Sequence, residues 1–276
     1  MKIPEITQNS RQNTFIVHRG NTGIVYDKLG NVRYRCSTSF FRQDLDWLYL
    51  ADFLGEKYLD IPHVNLIDYA CSSGEEAYTI IISLISRLGK KQAEKFFPVI
   101  AKDLDNDNID TAISGKYIIS HGEKHIIERL IYPRVKDFVS IKVPNIQYSS
   151  SAGVFMLDAN DGLKSHVEFS QADILQDIKN ISEETSVVFA RNMWRYLRAD
   201  EQFALMEKIY EKLKGTNSLL VLGSFDSPHQ VPAVYLPSGF CSNYTGIDGD
   251  HGSFVSRNLQ KFNITPAKIN HVYQIP

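Results

Sequence analysis

Val64-Asn-Leu-Ile-Asp-Tyr-Ala70 runs directly into Cys71-Ser-Ser-Gly-Glu-Glu76, and the reading of this junction decides the fold. The first part is a short apolar run of the kind a fully buried strand needs. After the second part, Ala77, Ile80, Ile81, Leu84, Ile85 and Leu88 recur at helical spacing until Gly89. Ser72 with Glu75, or Ser73 with Glu76, offers a capping-box spacing at the start of that helix. Between strand and helix the residues follow the form acid-x-small-x-small-x-Gly, from Asp68 through Ala70 and Ser72 to Gly74. Small residues let the backbone pass close beneath a ligand, and a helix start offers free N–H groups. Read by spacing alone, the junction is either a ligand loop or a tight connection. Gly74 is the one glycine among its three small positions, so it is a poor match to a pyrophosphate fingerprint.

Working outward, Phe97–Ala101 reads as a second strand, ending in Lys102-Asp103-Leu104-Asp105 before another helical stretch to Ser114-Gly115. An acid at the tip of a second strand is placed to accept hydrogen bonds from ribose hydroxyls, which singles out Asp103. Asp103-x-Asp105-x-Asp107 fails as a calcium loop, because its sixth and twelfth positions are Asn108 and Ser114. The alternation resumes with Val187–Ala190 as a strand, Ala199–Leu213 as a helix and Leu219–Leu222 as a strand. Strand, turn, helix and strand repeated in this way predict an α/β fold with a doubly wound, mostly parallel sheet. Residues 116–168 interrupt the alternation, with Lys124–Leu130 helical and Phe138–Val143, Val154–Leu157 and His166–Phe169 strand-like. They are expected to form a small inserted β-containing subdomain. Residues 1–37 read as an extension of β-hairpins (Thr14–Val17, Gly23–Tyr26, Val32–Arg35), and 38–276 as the main domain. From Thr38 the pattern turns helical through Phe41, Leu45, Leu48 and Phe53, with Gly55 as a C-cap candidate. Ser227–Ser253 reads as a long loop and His271–Ile275 as a closing strand.

The 276 residues carry 30 Lys+Arg against 32 Asp+Glu, a net charge of −2 that argues against bulk electrostatic binding to nucleic acid or membrane. The near-neutral sum hides a cancellation. The first 42 residues hold seven basic side chains and two acidic ones, Glu5 and Asp27. No apolar run approaches the roughly 20 residues of a membrane span. The N-terminus lacks the apolar core of a signal peptide, and Cys36, Cys71 and Cys241 form neither a disulfide framework nor a metal spacing. A cytoplasmic setting, no metal and no direct membrane insertion are the expectations.

Four segments, taken together and in order, resemble the chemotaxis-receptor methyltransferases of the CheR type, within the class I, Rossmann-like S-adenosylmethionine-dependent enzymes. They are Thr38-Ser-Phe-Phe-Arg42, Ala70-Cys-Ser-Ser-Gly-Glu-Glu-Ala-Tyr78, Ala101-Lys-Asp-Leu-Asp105 and Ala190-Arg-Asn-Met-Trp-Arg-Tyr196. The resemblance implies an S-adenosylmethionine site, with S-adenosylhomocysteine as product, formed by Thr38, Arg42, Ala70, Ser72, Gly74, Glu76, Asp103, Asp173, Ile174, Arg191 and Asn192. Within it, Arg42 pairs the methionine carboxylate or places the acceptor, Glu76 takes the ammonium, Asp103 the ribose, and Asp173-Ile174 flank the adenine. Arg42 and Tyr196 are the implied catalytic residues. The implied reaction is methyl-ester formation on a protein carboxylate of a receptor-like partner. The alternatives are a small molecule or another protein site as acceptor, or a non-catalytic module that senses the cofactor. Asp173 stands where the family usually has Asn, as does Cys36, and 37 residues precede Thr38 where full-length members carry a helical domain.

Overall fold

The computed structural model describes residues 23–26, 32–36, 38–143, 153–224, 226 and 250–276, the two N-terminal strands and residues 250–254 and 256 by backbone alone. Thr14–Val17, and the Ser227–Ser253 stretch as far as Gly249, lie outside the described residues. Strands β1 (Gly23–Tyr26) and β2 (Val32–Cys36) pair antiparallel. The chain continues through α1 (Trp47–Lys57), β3 (Asn65–Tyr69), α2 (Glu75–Ala93), β4 (Val99–Asp103) and α3 (Asn106–Ser114). Next come β5 (Lys116–Ser120), α4 (His121–Ile131), α5 (Val135–Phe138), β6 (Val139–Lys142), β7 (Val154–Ala159) and α6 (Asp161–Lys164). Then follow β8 (Val167–Gln171), α7 (Ile174–Asp177), β9 (Ser186–Ala190), a tight helical turn over Trp194–Tyr196 and α8 (Ala199–Leu213). The last elements are β10 (Leu219–Val221), α9 (Asp250–Lys261), β11 (Thr265–Pro266) and β12 (Val272–Gln274).

The main sheet runs β11-β12-β10-β9-β3-β4-β8, with β10, β9, β3, β4 and β8 parallel and β12 antiparallel to both its neighbours. Its central strands β3, β9 and β10 read as mainly apolar runs because both faces are covered. Leu66, Val187, Phe189, Leu219 and Val221 point into a core shared with α1 and α2. Ile67, Tyr69, Val188, Ala190, Leu220 and Leu222 point into a second core under α8 and α9. The α2 stripe buries Ile80, Ile81 and Leu84 against the first core, each worth about 1.5–3 kcal/mol of transfer free energy. From β3 the chain crosses to β4 on one side, whereas from β9 it crosses to β10 on the other. That reversal opens a crevice at the carboxyl ends of β3 and β9.

Local departures from the sequence reading have physical causes. His166–Phe169 belongs to no inserted sheet: β8 pairs in register with β4 as an outer strand of the main one. The separate small sheet has the order β5-β7-β6. Helix α1 begins at Trp47, where Asp46 accepts from the Tyr49 N–H; residues 38–45 form turns instead. Gly55 lies inside α1, where a Cβ would stand 2.5 Å from Leu88 Cδ2, so its size serves the α1–α2 contact. No capping box forms at α2. Its N-cap is Gly74, at φ 93°, and Ser73 Oγ donates to Glu75 Oε2 instead.

Candidate functional site

The loop from β3 to α2 is built from left-handed residues. Ala70, Ser72 and Gly74, the three small positions of the motif, have φ of 57°, 51° and 93°. A left-handed Ala or Ser is strained by roughly 1–2 kcal/mol, so the surroundings must hold it. Cys71 N–H donates to Lys102 O at 3.1 Å and Ser72 N–H to Asp103 Oδ2 at 2.8 Å. Gly74 is required twice over, because a Cβ there would approach Ala112 Cβ to 2.8 Å and Phe169 Cζ to 3.0 Å. Asp103 also accepts from Asp105 N–H at 2.9 Å and Asn108 Nδ2 at 3.2 Å. Burial raises its carboxyl above the usual range, against those three hydrogen bonds.

At the end of β9, Arg191 turns its guanidinium inward, its side chain 1% exposed. Nη2 donates to Asp44 Oδ1 at 2.6 Å and Nη1 to Glu76 Oε2 at 2.5 Å, and the guanidinium lies 4.7 Å from the Trp47 ring centroid. Burial works against ionisation of Asp44, yet Arg191, Arg42 and the Ser224 N–H outweigh it and hold the carboxyl at about 2. For Glu76 burial wins, and its carboxyl is raised despite Arg191 and Arg42. Glu75, pushed up to about 7 by burial, does not reach the cleft. Asn192 follows at φ 58°, a conformation asparagine tolerates better than most residues. Its N–H donates to Asp226, whose carboxyl is pushed up to about 7 by burial.

These elements surround a cleft with about 1090 Å³ of empty space, part of it open to solvent. Thr38, Arg42, Ala70, Ser72, Glu76, Asp103, Asp173, Ile174, Arg191, Asn192 and Tyr196 all line it. Gly74 does not; it sets the turn behind them. Asp173 spends one oxygen on capping α7, accepting from Leu175 N–H at 2.9 Å. Asp44, Ser224 and Asp226 escape the sequence reading. Asp44 lies two residues beyond Arg42, but no local pattern shows that its side chain turns inward. Asp226 sits beyond the last parallel strand with no motif around it.

Residues 36–235 match the family described as CheR methyltransferase, SAM binding domain. The chain belongs to this family. Chemotaxis protein methyltransferase 2 of Pseudomonas aeruginosa is 28% identical over 181 residues, covering 64% of this chain and 58% of that protein. The chemotaxis protein methyltransferase of Salmonella typhimurium is 24% identical over 181 residues, 64% of this chain and 56% of its own length. The chain thus spans a little over half the length of these curated relatives. Among solved structures, the methyltransferase domain of bacterial CtHen1-C covers 79% of this chain and 83% of its own, at 8% identity and a TM-score of 0.39.

S-adenosylmethionine is the cofactor of a CheR SAM-binding domain, and the chemistry of the cleft fits it. Glu76 and Asp103 line the cleft with Arg42 and Arg191; behind them, Asp44 feels both guanidiniums and Asp68 feels that of Arg191. Asp68 is fully buried, and neither of its oxygens accepts a hydrogen bond from the described residues. Burial and then Glu76 push its carboxyl well above the usual range. The Ser72 hydroxyl and the Asn192 amide are likewise buried without partners. A cavity lined by Glu76, Asp103 and Asp173, with the Ser72 hydroxyl and the Asn192 amide unspent among the described residues, suits a ligand bearing a sulfonium and an ammonium. No described helix is long and apolar enough to cross a membrane, and no described group of three His, Cys, Asp or Glu side chains is arranged to hold a metal.

Proposed function

We propose that this chain transfers a methyl group from S-adenosylmethionine to a carboxylate of a protein partner, forming a methyl ester. The observation that carries the reading is the convergence of Glu76, in the first turn of α2, and Asp103, at the end of β4, on the cleft that Arg42, Asn192 and Tyr196 also line. In this reading Asp103 accepts from the ribose hydroxyls, Glu76 faces the ammonium, and Arg42 pairs the methionine carboxylate or steers the acceptor. Asp173 and Ile174 flank the adenine. When bound, the cofactor supplies an electrophilic methyl group on a positively charged sulfur. The acceptor side is left to Arg42, Asn192 and Tyr196.

The chain's work is then alignment and exclusion of water more than proton transfer. A carboxylate acceptor carries its own nucleophilic lone pair and asks for no general base. The described lining offers arginine, asparagine and tyrosine at that end, in keeping with such an acceptor. The names of the two curated relatives support a protein partner in a chemotaxis setting, and a cytoplasmic location follows from that reading.

Calorimetry with S-adenosylmethionine and S-adenosylhomocysteine, followed by transfer of labelled methyl to cell extract, tests the reading. Binding followed by a base-labile label on protein is expected. Failure to bind either compound would overturn it, and a base-stable label would move the acceptor to nitrogen.

A further inference from the structure

The small sheet reaches the cleft through two hydrogen bonds that leave from one corner, where β5 passes into α4. Ser120 caps α4, and Glu123 completes the capping box: its Oε2 accepts from Ser120 N–H and Oγ, each at 2.7 Å. The other oxygen is not needed for the cap. Glu123 Oε1 accepts from the N–H of Phe40 at 3.2 Å, in the segment between Thr38 and Arg42. The next N–H, that of Phe41 at φ 49°, donates to Thr79 Oγ1 on α2 at 3.2 Å. From β5, the buried Tyr117 hydroxyl donates to Ser73 O at 2.8 Å, inside the loop of left-handed residues. Its ring meets Phe40 edge-on, with centroids 5.1 Å apart, and Tyr78 at 6.0 Å.

Strained loops persist only where their surroundings over-determine them. Here one corner holds two such segments, one carrying Thr38 and Arg42, the other Ala70 and Ser72. We propose that Glu123 and Tyr117 are positioning residues for the cleft: the β5–α4 corner clamps both segments, making cofactor affinity a property of the small sheet as well as of the main one. The inference rests on the cleft binding S-adenosylmethionine, as proposed above. Neither side chain lines the cleft, so both act through the backbone they hold.

Calorimetric titration of the whole chain with S-adenosylmethionine, and separately with S-adenosylhomocysteine, provides the test, with thermal unfolding measured alongside. Glu123→Ala is expected to weaken both ligands roughly 10- to 100-fold, about the size of one hydrogen bond to a charged group. Glu123→Gln keeps an acceptor for Phe40 and is expected to stay within about twofold of the parent, since one acceptor oxygen suffices there. Ser120→Ala breaks the cap but leaves Phe40 held, so it should lower the unfolding temperature and spare the affinity. Tyr117→Phe deletes one oxygen, keeps the ring, and is expected to weaken binding about 2- to 5-fold, as a neutral hydrogen bond would; it decides the matter if Glu123→Ala does not fold. Parent-like affinity in Glu123→Ala or Tyr117→Phe, or an equal loss in Ser120→Ala, would overturn the clamp. If the parent protein binds neither ligand, the cofactor reading itself fails and the clamp with it.

Discussion

Replacing Arg191 by Met leaves Asp44 and Glu76 without the guanidinium that bridges them at 2.6 and 2.5 Å. Their side chains are 6% and 9% exposed, so water cannot take over. Removing one partner of such a buried pair typically destabilises by about 3–5 kcal/mol. Arg42, whose charge also reaches both carboxylates, remains, so the lower figure applies. At about 2–4 °C per kcal/mol for a domain of this class, unfolding should come about 6–12 °C earlier at pH 8. The pH dependence carries its own sign. In the parent, Asp44 sits at about 2 against an ordinary 3.8, so it adds stability above the ordinary value that is lost as pH falls through 2. In the variant, burial of Asp44 and Glu76 is opposed by less positive charge, and their carboxyls rise. Groups of that kind favour folding below the ordinary carboxyl range and lose that contribution as pH rises through the raised values. The gap between the two proteins should therefore narrow from pH 8 to pH 5. Chemical denaturation at both values is the assay. A difference below about 1 kcal/mol, within the range of an exposed pair, or one that does not change with pH, would refute the buried bridge.

Asp103→Asn puts an amide N–H₂ opposite either the Ser72 or the Asp105 N–H, leaving a donor unmet; by calorimetry, S-adenosylmethionine affinity should drop at least about 5-fold, and unchanged affinity would remove Asp103 from the ribose site. Gly74→Ala combines φ 93° with a Cβ 2.8 Å from Ala112 Cβ and should lower stability by more than about 1 kcal/mol; a parent-like melting curve would contradict the turn. For Tyr196→Phe, labelled-methyl turnover is expected to fall while cofactor affinity holds. The reverse pattern would take Tyr196 off the acceptor side.

How far the sequence could be read depended on the range of each interaction. Strand β3 was legible because burial on both faces leaves an apolar run, and α2 because its one buried face repeats every turn. The small positions Ala70, Ser72 and Gly74 were legible as a pattern, but their reason was not. Spacing suggested room for a ligand; the structure adds that alternate residues are left-handed. That conformation delivers the Ser72 N–H to Asp103, and it is also why the capping box could not form. A loop that must aim one N–H at the next strand cannot also put Ser72 or Ser73 at the helix N-cap, so Gly74 takes that place. Strand β8 was misplaced for a similar reason. Its partly exposed, mixed face matches an outer strand of either sheet, and only its register with β4 decides between them.

The charged residues divide along the same line. Glu76, Asp103 and Arg191 stand at strand and helix ends, where the α/β alternation alone brings them to the crevice. Asp44 comes to lie behind it because Arg191, 147 residues later, turns inward over Trp47 and takes two buried counter-charges. Asp226 matters only because Asn192, 34 residues earlier, adopts a left-handed turn whose N–H must be met. Neither demand leaves a mark near the acid itself. The asymmetry has a use: where a buried cation at a strand end has one partner in a recognisable motif, its remaining donors point to a further acceptor from another segment. Glu76 alone could not satisfy a buried guanidinium. The segment around Arg42, already placed at the cleft by the family pattern, was therefore where that further acceptor had to be sought.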